Sequence, residues 1–289
     1  MTIPSLVVFA IGIILFGAAV AIAVPTLISR HTYRSFVGTS SAHQVLTDVH
    51  ASWVVDRALR SLAQACVGEA QRLPGIVMVV LDADSIAVHV ASPSQHPPRP
   101  WDASPGGLVW SAKLADLQSM PVDSGRANPW TGLFTIGVSD AGRVFVDLDQ
   151  AHGLISIGGD PTSRREVARR WIDEAAARTW ATGPVVFVGL DDRAEPSSAP
   201  GPTVYDVIAL VKTGTPGLVF IEGAPHPDQA ALLARALESE KSRCPVIIVG
   251  ATDDARWRFT AQENGWMTSD FLPAARFTPE ASDAVAVAA

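Results

Sequence analysis

Four short apolar runs, spaced by helical stretches, constrain this 289-residue chain more than any other feature. They are Leu154–Ile157, Val185–Leu190, Gly217–Ile221 and Pro245–Val249. A strand with one wet face alternates apolar and polar residues, whereas a continuous apolar run is buried on both faces. Helical patterns fall between them, over Pro161–Trp180, Val204–Leu210 and Gln229–Lys241. Strands alternating with helices predict a mostly parallel sheet with flanking helices, an α/β subdomain over residues 151–272. Asp160 suits the N-cap of the first of these helices and Pro161 its first turn. Arg256–Glu263 and Met267–Phe271 are expected as edge strands. Residues 273–289, rich in Ala, Ser and Asp, are expected as a disordered tail.

The first half has a different grammar and predicts a small α+β subdomain over residues 51–150. Val54, Val55, Ala58, Leu59, Leu62 and Cys66 recur at helical spacing within Ala51–Gln71. Leu73-Pro74-Gly75 ends that pattern. Ile76–Leu81 and Ile86–Val90 flank Asp82-Ala83-Asp84-Ser85, a hairpin signal. Leu133–Val138 and Arg143–Leu148 flank Ser139-Asp140-Ala141-Gly142, a second and clearer one. Residues 92–107 form a proline-rich surface connection. Trp101, Trp110 and Trp130 lie in loops or short strands and suggest a partner surface, whereas Trp53, Trp171 and Trp180 fall on helices.

Residues 1–29 contain no Asp, Glu, Lys or Arg, and Leu6–Val24 is apolar throughout. Nineteen residues of helix span about 28 Å, close to the hydrocarbon thickness of a bilayer. A cleaved signal peptide would begin with a basic region, which Met-Thr-Ile-Pro-Ser lacks, although Ala21-Ile22-Ala23 resembles a cleavage site. The expectation is a single transmembrane anchor over 1–29 and a polar connector over 30–50. Arg30 and Arg34 follow the apolar run, which places the N-terminus outside the inner (plasma) membrane and the bulk of the chain in the cytoplasm. The net charge of −7 and pI near 5.4 disfavour nucleic acid as a partner. The composition, 48% hydrophobic and 18% charged, excludes a disordered chain. Cys66 and Cys244 read as two buried thiols rather than a disulfide framework.

The turn LISIGGDPTSRRE at 154–166 invites a test for phosphate binding. A phosphate-binding loop needs G-x-x-x-x-G-K-[ST]. With Gly158 as the first glycine, Ser163 stands at the second glycine, Arg164 at the lysine and Arg165 at the hydroxyl. Three of those four positions fail, and Pro161 removes an amide. Gly158, Gly159, Thr162, Ser163 and Arg164 are therefore only weak phosphate-site candidates. Glu222 ends an apolar strand where an acid could hold Mg²⁺, but Gly223 follows it. The seven histidines are scattered, with His43 and His50 seven apart and no completing ligand. Asp191-Asp192 and Asp253-Asp254 read as solvated turn residues. No nucleophile motif is present. Neither a catalytic residue, a metal nor a cofactor is expected.

Three segments carry a family resemblance: residues 56–101 from DRALRSLAQACVGEAQRLPGI onward, LISIGGDPTSRREVARRWIDEAA at 154–176, and CPVIIVGATDDARWRFTAQENGW at 244–266. They resemble the central cytoplasmic region of large actinobacterial membrane proteins that also carry LysM and bacterial transcriptional activator domains. That resemblance implies a membrane-tethered module without established enzymatic activity, associated with pilus or secretion machinery. Neither a LysM segment nor a helical activator domain is recognisable here, so peptidoglycan binding and DNA-linked regulation are not carried over. The block at 154–176 is also distantly similar to FtsK-type motor ATPases, from whose pattern it departs at the lysine.

The function expected is a non-catalytic, membrane-tethered cytoplasmic scaffold or adaptor. Its partners would be other membrane-associated proteins, and residues 6–24 would contact lipid. The alternative is a nucleotide-binding switch or weak ATPase using the turn at 158–165.

Overall fold

The computed structural model describes residues 49–123, 125–177, 185–189, 202–238 and 244–277, with only the backbone of 49–52. The described residues all belong to one compact unit, and Met1–Ser41 lie outside the described residues. The expected anchor at Leu6–Val24 and most of the connector lie there too. Among the described residues no helix is long and apolar enough to cross a membrane.

The fold is mixed α/β, built on one large sheet. Its strands are β1 Ile76–Leu81, β2 Ser85–Val90, β3 Asp102–Ala103, β4 Val109–Lys113, β5 Leu133–Ser139, β6 Gly142–Asp147, β7 Leu154–Gly159, β8 Val185–Val188, β9 Leu218–Glu222, β10 Val246–Val249, β11 Trp257–Ala261, β12 Trp266–Ser269 and β13 Ala275–Arg276. They lie in the order β3-β4-β2-β1-β6-β5-β13-β12-β11-β7-β10-β9-β8. From β11 to β8 every pairing is parallel, and from β3 to β11 every pairing is antiparallel. The two predicted hairpins are present as β1–β2 and β5–β6.

The helices are α1 Val49–Gly68, α2 Leu114–Ser119, α3 Pro161–Ala177, α4 Val204–Thr213 and α5 Pro227–Leu237. The stripe read from the sequence is the buried face of α1, where Leu59, Leu62 and Cys66 are inaccessible. Arg57 ties α1 to the end of α2, donating to the carbonyls of Gln118 (3.2 Å) and Met120 (2.9 Å). Helix α4 starts on a capping box between Thr203 and Asp206 and stops at Gly214 in the left-handed region. α3 packs on one face of the sheet, and α4 and α5 pack on the other. Alternate strand residues serve the two sides: Ile155, Phe220 and Ile247 join the α3 core, while Leu154, Val219 and Val246 join the α4–α5 core.

Three expectations are corrected. β11 and β12, both expected at an edge, lie inside the sheet between β7 and β13. At the start of the tail expected to be disordered over 273–289, Ala275–Arg276 form β13 and Phe277 is buried behind it, while 278–289 lie outside the described residues. The proposed partner tryptophans Trp101, Trp110 and Trp130 are all buried. The indole N–H of Trp110 donates to the Ser94 carbonyl (2.9 Å), and that of Trp130 to the Pro74 carbonyl (3.1 Å). Those bonds let the rings of Trp110 and Trp130 go inside with their polar atoms satisfied, whereas the Trp101 indole nitrogen is buried with no hydrogen-bond partner. Trp171 lies in the core as a helical tryptophan should; Trp53 is exposed on α1, and Trp180 lies outside the described residues.

Candidate functional site

The turn from β7 into α3 lies at the carboxyl ends of the parallel strands, where open α/β sheets place their ligands. β7 meets β10 on one side and β11 on the other. Pairing with β11 dictates the glycine at position 159. Its φ is +92°, and a Cβ there would collide with the Ala261 carbonyl. Gly158 is different: a Cβ would meet Ala251 Cβ at 3.8 Å, an ordinary contact. The close approach thus serves the sheet rather than a phosphate.

Three of the amides that could cradle an anion already have a partner, and a fourth is absent. The Asp160 N–H donates to the Ala261 carbonyl (2.9 Å). Pro161 has none. The Ser163 N–H donates to the Asp160 carboxylate at 2.8 Å, and the Arg164 N–H to the Asp160 carbonyl at 2.9 Å. The Asp160 carboxyl is held below its ordinary value by the Ser163 amide and hydroxyl, with the Thr162 amide and the Arg164 charge adding to this. A carboxylate of the chain itself therefore occupies the positive end of α3. Ser163 is buried and Thr162 exposed. Arg164 stands where a phosphate-binding lysine would, and its Nε is buried with no hydrogen-bond partner.

The positions that would hold Mg²⁺ are filled in a related way. Arg165, in the place of the hydroxyl, donates through both Nε (2.6 Å) and Nη2 to Glu222 Oε1 at the end of β9. The sequence marks both residues separately, but not that a cation 57 residues away neutralises the acid. Their ion pair is half exposed on the arginine side, so it contributes little to stability. Its consequence is positional: a guanidinium engages Oε1 of the carboxylate at this end of β9.

The remaining candidates do not assemble. Among the described residues no three His, Cys, Asp or Glu side chains are placed to hold a metal. His43 and Asp191-Asp192 lie outside the described residues, and Asp253 and Asp254 are exposed. At the opposite, amino end of the strands, Asp149, His152 and Cys244 line a small depression with Leu148, Gly153, Leu237 and Pro245. Burial, and then the Asp149 charge, push the Cys244 thiol up to about 11, so it is no thiolate at neutral pH. Cys66 is likewise pushed up to about 11 by burial and then by Glu69. Both cysteines are free and buried, as the sequence suggests.

No protein-family model matches the chain, and no curated protein matches it. Among solved structures, it is similar to the pCW3 conjugation coupling protein TcpA in its monomer form with ATPγS. That likeness covers 77% of this chain and 96% of the other, at 12% identity and a TM-score of 0.32. At that level it carries no inference about activity.

Proposed function

We propose that the chain is a non-catalytic scaffold or adaptor for membrane-associated proteins. In this reading Leu6–Val24 anchors it in the inner membrane with the N-terminus outside, and the sheet unit works in the cytoplasm beside a secretion or pilus machinery, as the family resemblance implies. The supporting observation is the self-occupied turn. Asp160 holds the amides of the α3 N-terminus, and Arg165 holds Glu222, so groups of the chain itself stand where a triphosphate and its metal would sit.

The rival is the nucleotide-binding switch or weak ATPase at residues 158–165. One observation favours it, the buried Nε of Arg164 without a partner. A nucleotide that bound only the folded state at a hundred times its Kd would add about 2.7 kcal/mol of stability. The test is thermal unfolding of the full chain with and without millimolar ATP and Mg²⁺, together with an assay for released phosphate. The scaffold reading expects an unchanged Tm and no phosphate. A saturable rise in Tm that Arg164→Ala abolishes, or turnover, would overturn it.

A further inference from the structure

The chain has two asparagines, Asn128 and Asn264, and their surroundings are opposite. Asparagine is among the thermolabile side chains, because the backbone nitrogen that follows it can attack its carboxamide carbon. Asn128 is protected twice over. It is buried, its Oδ1 accepts from the Trp130 N–H (3.0 Å), and its Nδ2 donates to Asp56 (3.0 Å). The residue after it is Pro129, whose nitrogen carries no proton to lose. Asn264 is exposed and is followed by Gly265, which has no side chain to hinder the attack.

Asn264 sits at the tip of the β11–β12 hairpin. The Gly265 N–H donates to the Gln262 carbonyl (3.0 Å), and the Gln262 N–H donates to the Trp266 carbonyl (2.8 Å). Gly265 takes φ +81°, as a turn of this kind requires. Two hydrogen bonds here act on the chemistry in opposite senses. The Trp266 N–H donates to Asn264 Oδ1 at 3.3 Å, the atom on which negative charge grows when the carboxamide carbon is attacked. The bond from Gly265 to Gln262 holds the proton that the attacking nitrogen must shed. Opening one hydrogen bond of that kind slows the reaction about tenfold and does not stop it.

We propose that Asn264 is a deamidation site in the folded protein, and that its conversion to isoaspartate loosens the seating of β13. The Gly265 nitrogen bonds to Asn264 Cγ, the Cγ–Nδ2 bond breaks, and ammonia leaves with the proton of the Gly265 amide. Water then opens the cyclic imide at one of its two carbonyls. Opening at Cγ gives aspartate. Opening at the main-chain carbonyl gives isoaspartate, whose backbone runs through Cβ and is one methylene longer. That extra carbon falls in the turn that receives the last strand. The Phe277 N–H donates to the Gly265 carbonyl (2.8 Å), Trp266 pairs with Arg276, and Met267 pairs with Ala275. The Arg276 guanidinium also lies over the Trp266 ring, 5.0 Å from its centre. Aspartate keeps the original backbone path, so the two products differ in what they do to β13.

The test ages the full chain at mildly alkaline pH, folded and in urea, and follows peptide masses. Isoaspartate is counted by its enzymatic methylation. Asn264 should convert from amide to acid in both samples, about tenfold more slowly in the folded one, while Asn128 of the folded chain stays intact. Hydrogen exchange in the aged, isoaspartate-containing chain should be faster at Arg276 and Phe277 than in fresh protein. Asn264→Asp, which adds the charge without the methylene, should exchange there like the parent. Asn264→Gln, whose ring closure is slower, should age without change. An Asn264 that stays intact in the folded chain while it converts in urea would overturn the proposal. So would isoaspartate that forms and leaves exchange at Phe277 unaltered.

Discussion

Asp160 supplies from within the chain the negative charge that the start of a helix favours. The geometry makes it both cap and counter-charge, with Ser163 donating at 2.8 Å. Its carboxyl titrates below the ordinary value of 3.8, so the folded state binds its proton less readily than the unfolded state. Stability from this group is therefore complete above the ordinary carboxylate value. It is lost as the pH falls from there through the depressed folded value. Asp160→Ala should lower Tm by a few degrees at neutral pH, and the gap to the parent should narrow only once the pH drops below about 4. Melting curves from pH 7 to pH 3 measure this. A gap that stayed constant to pH 3 would mean that the carboxylate charge is not what the cap supplies.

At the scale of the element, α3 joins the site to the core. Trp171 lies between Phe134 of β5 (6.0 Å) and Phe259 of β11 (5.8 Å, edge-on), and its indole N–H donates to the Thr135 carbonyl at 2.9 Å. One turn on, Glu174 accepts from the amide (3.0 Å) and hydroxyl (2.9 Å) of Thr135. Trp171→Ala should cost about 3–5 kcal/mol through the cavity it leaves. Trp171→Phe keeps most of the ring but strands the Thr135 carbonyl, at about 1–3 kcal/mol. Urea unfolding checks both, with a single transition expected because the ring touches both halves of the sheet. Most of α3 is legible in the sequence, because Asp160 and Pro161 are local signals. So are the buried parallel strands. What was not legible depends on partners far along the chain. β11 alternates like an edge strand, yet β7 and β12 pair with both its sides. Nothing in Ala275-Arg276 marks a strand, and its order comes from Trp266 and Val138 beside it. At the candidate site, the failing phosphate-loop positions can be read directly. The Arg165–Glu222 pairing cannot, since only the fold sets those side chains face to face.

For the whole molecule, the strands that precede residue 150 and those that follow it meet at β13. Its backbone is the link in the sheet order between β5 and β12. One hydrophobic core also runs across the junction at residue 150, holding Met78, Phe134 and Val146 together with Ile155, Phe220 and Ile247. The Phe277 N–H donates to the Gly265 carbonyl (2.8 Å), while Arg170 of α3 donates to the Phe277 carbonyl and lies over its ring. The tightest point of the seam is Gly137, in a register irregularity of β5, with φ +154°. A Cβ there would land on the carbonyl of Arg276, which is backbone and cannot swing aside. Gly137→Ala must therefore push β13 off β5, at a cost of about 1–3 kcal/mol. Gly158→Ala, which meets nothing closer than 3.8 Å, should change stability little. The two variants separate a seam effect from a general intolerance of added bulk. Hydrogen exchange should show faster opening at Val138 and Arg276 in Gly137→Ala, with β8–β10 protected as in the parent. If exchange instead rose equally on both sides of the seam, β13 would be a passenger in one cooperative sheet rather than its weakest joint.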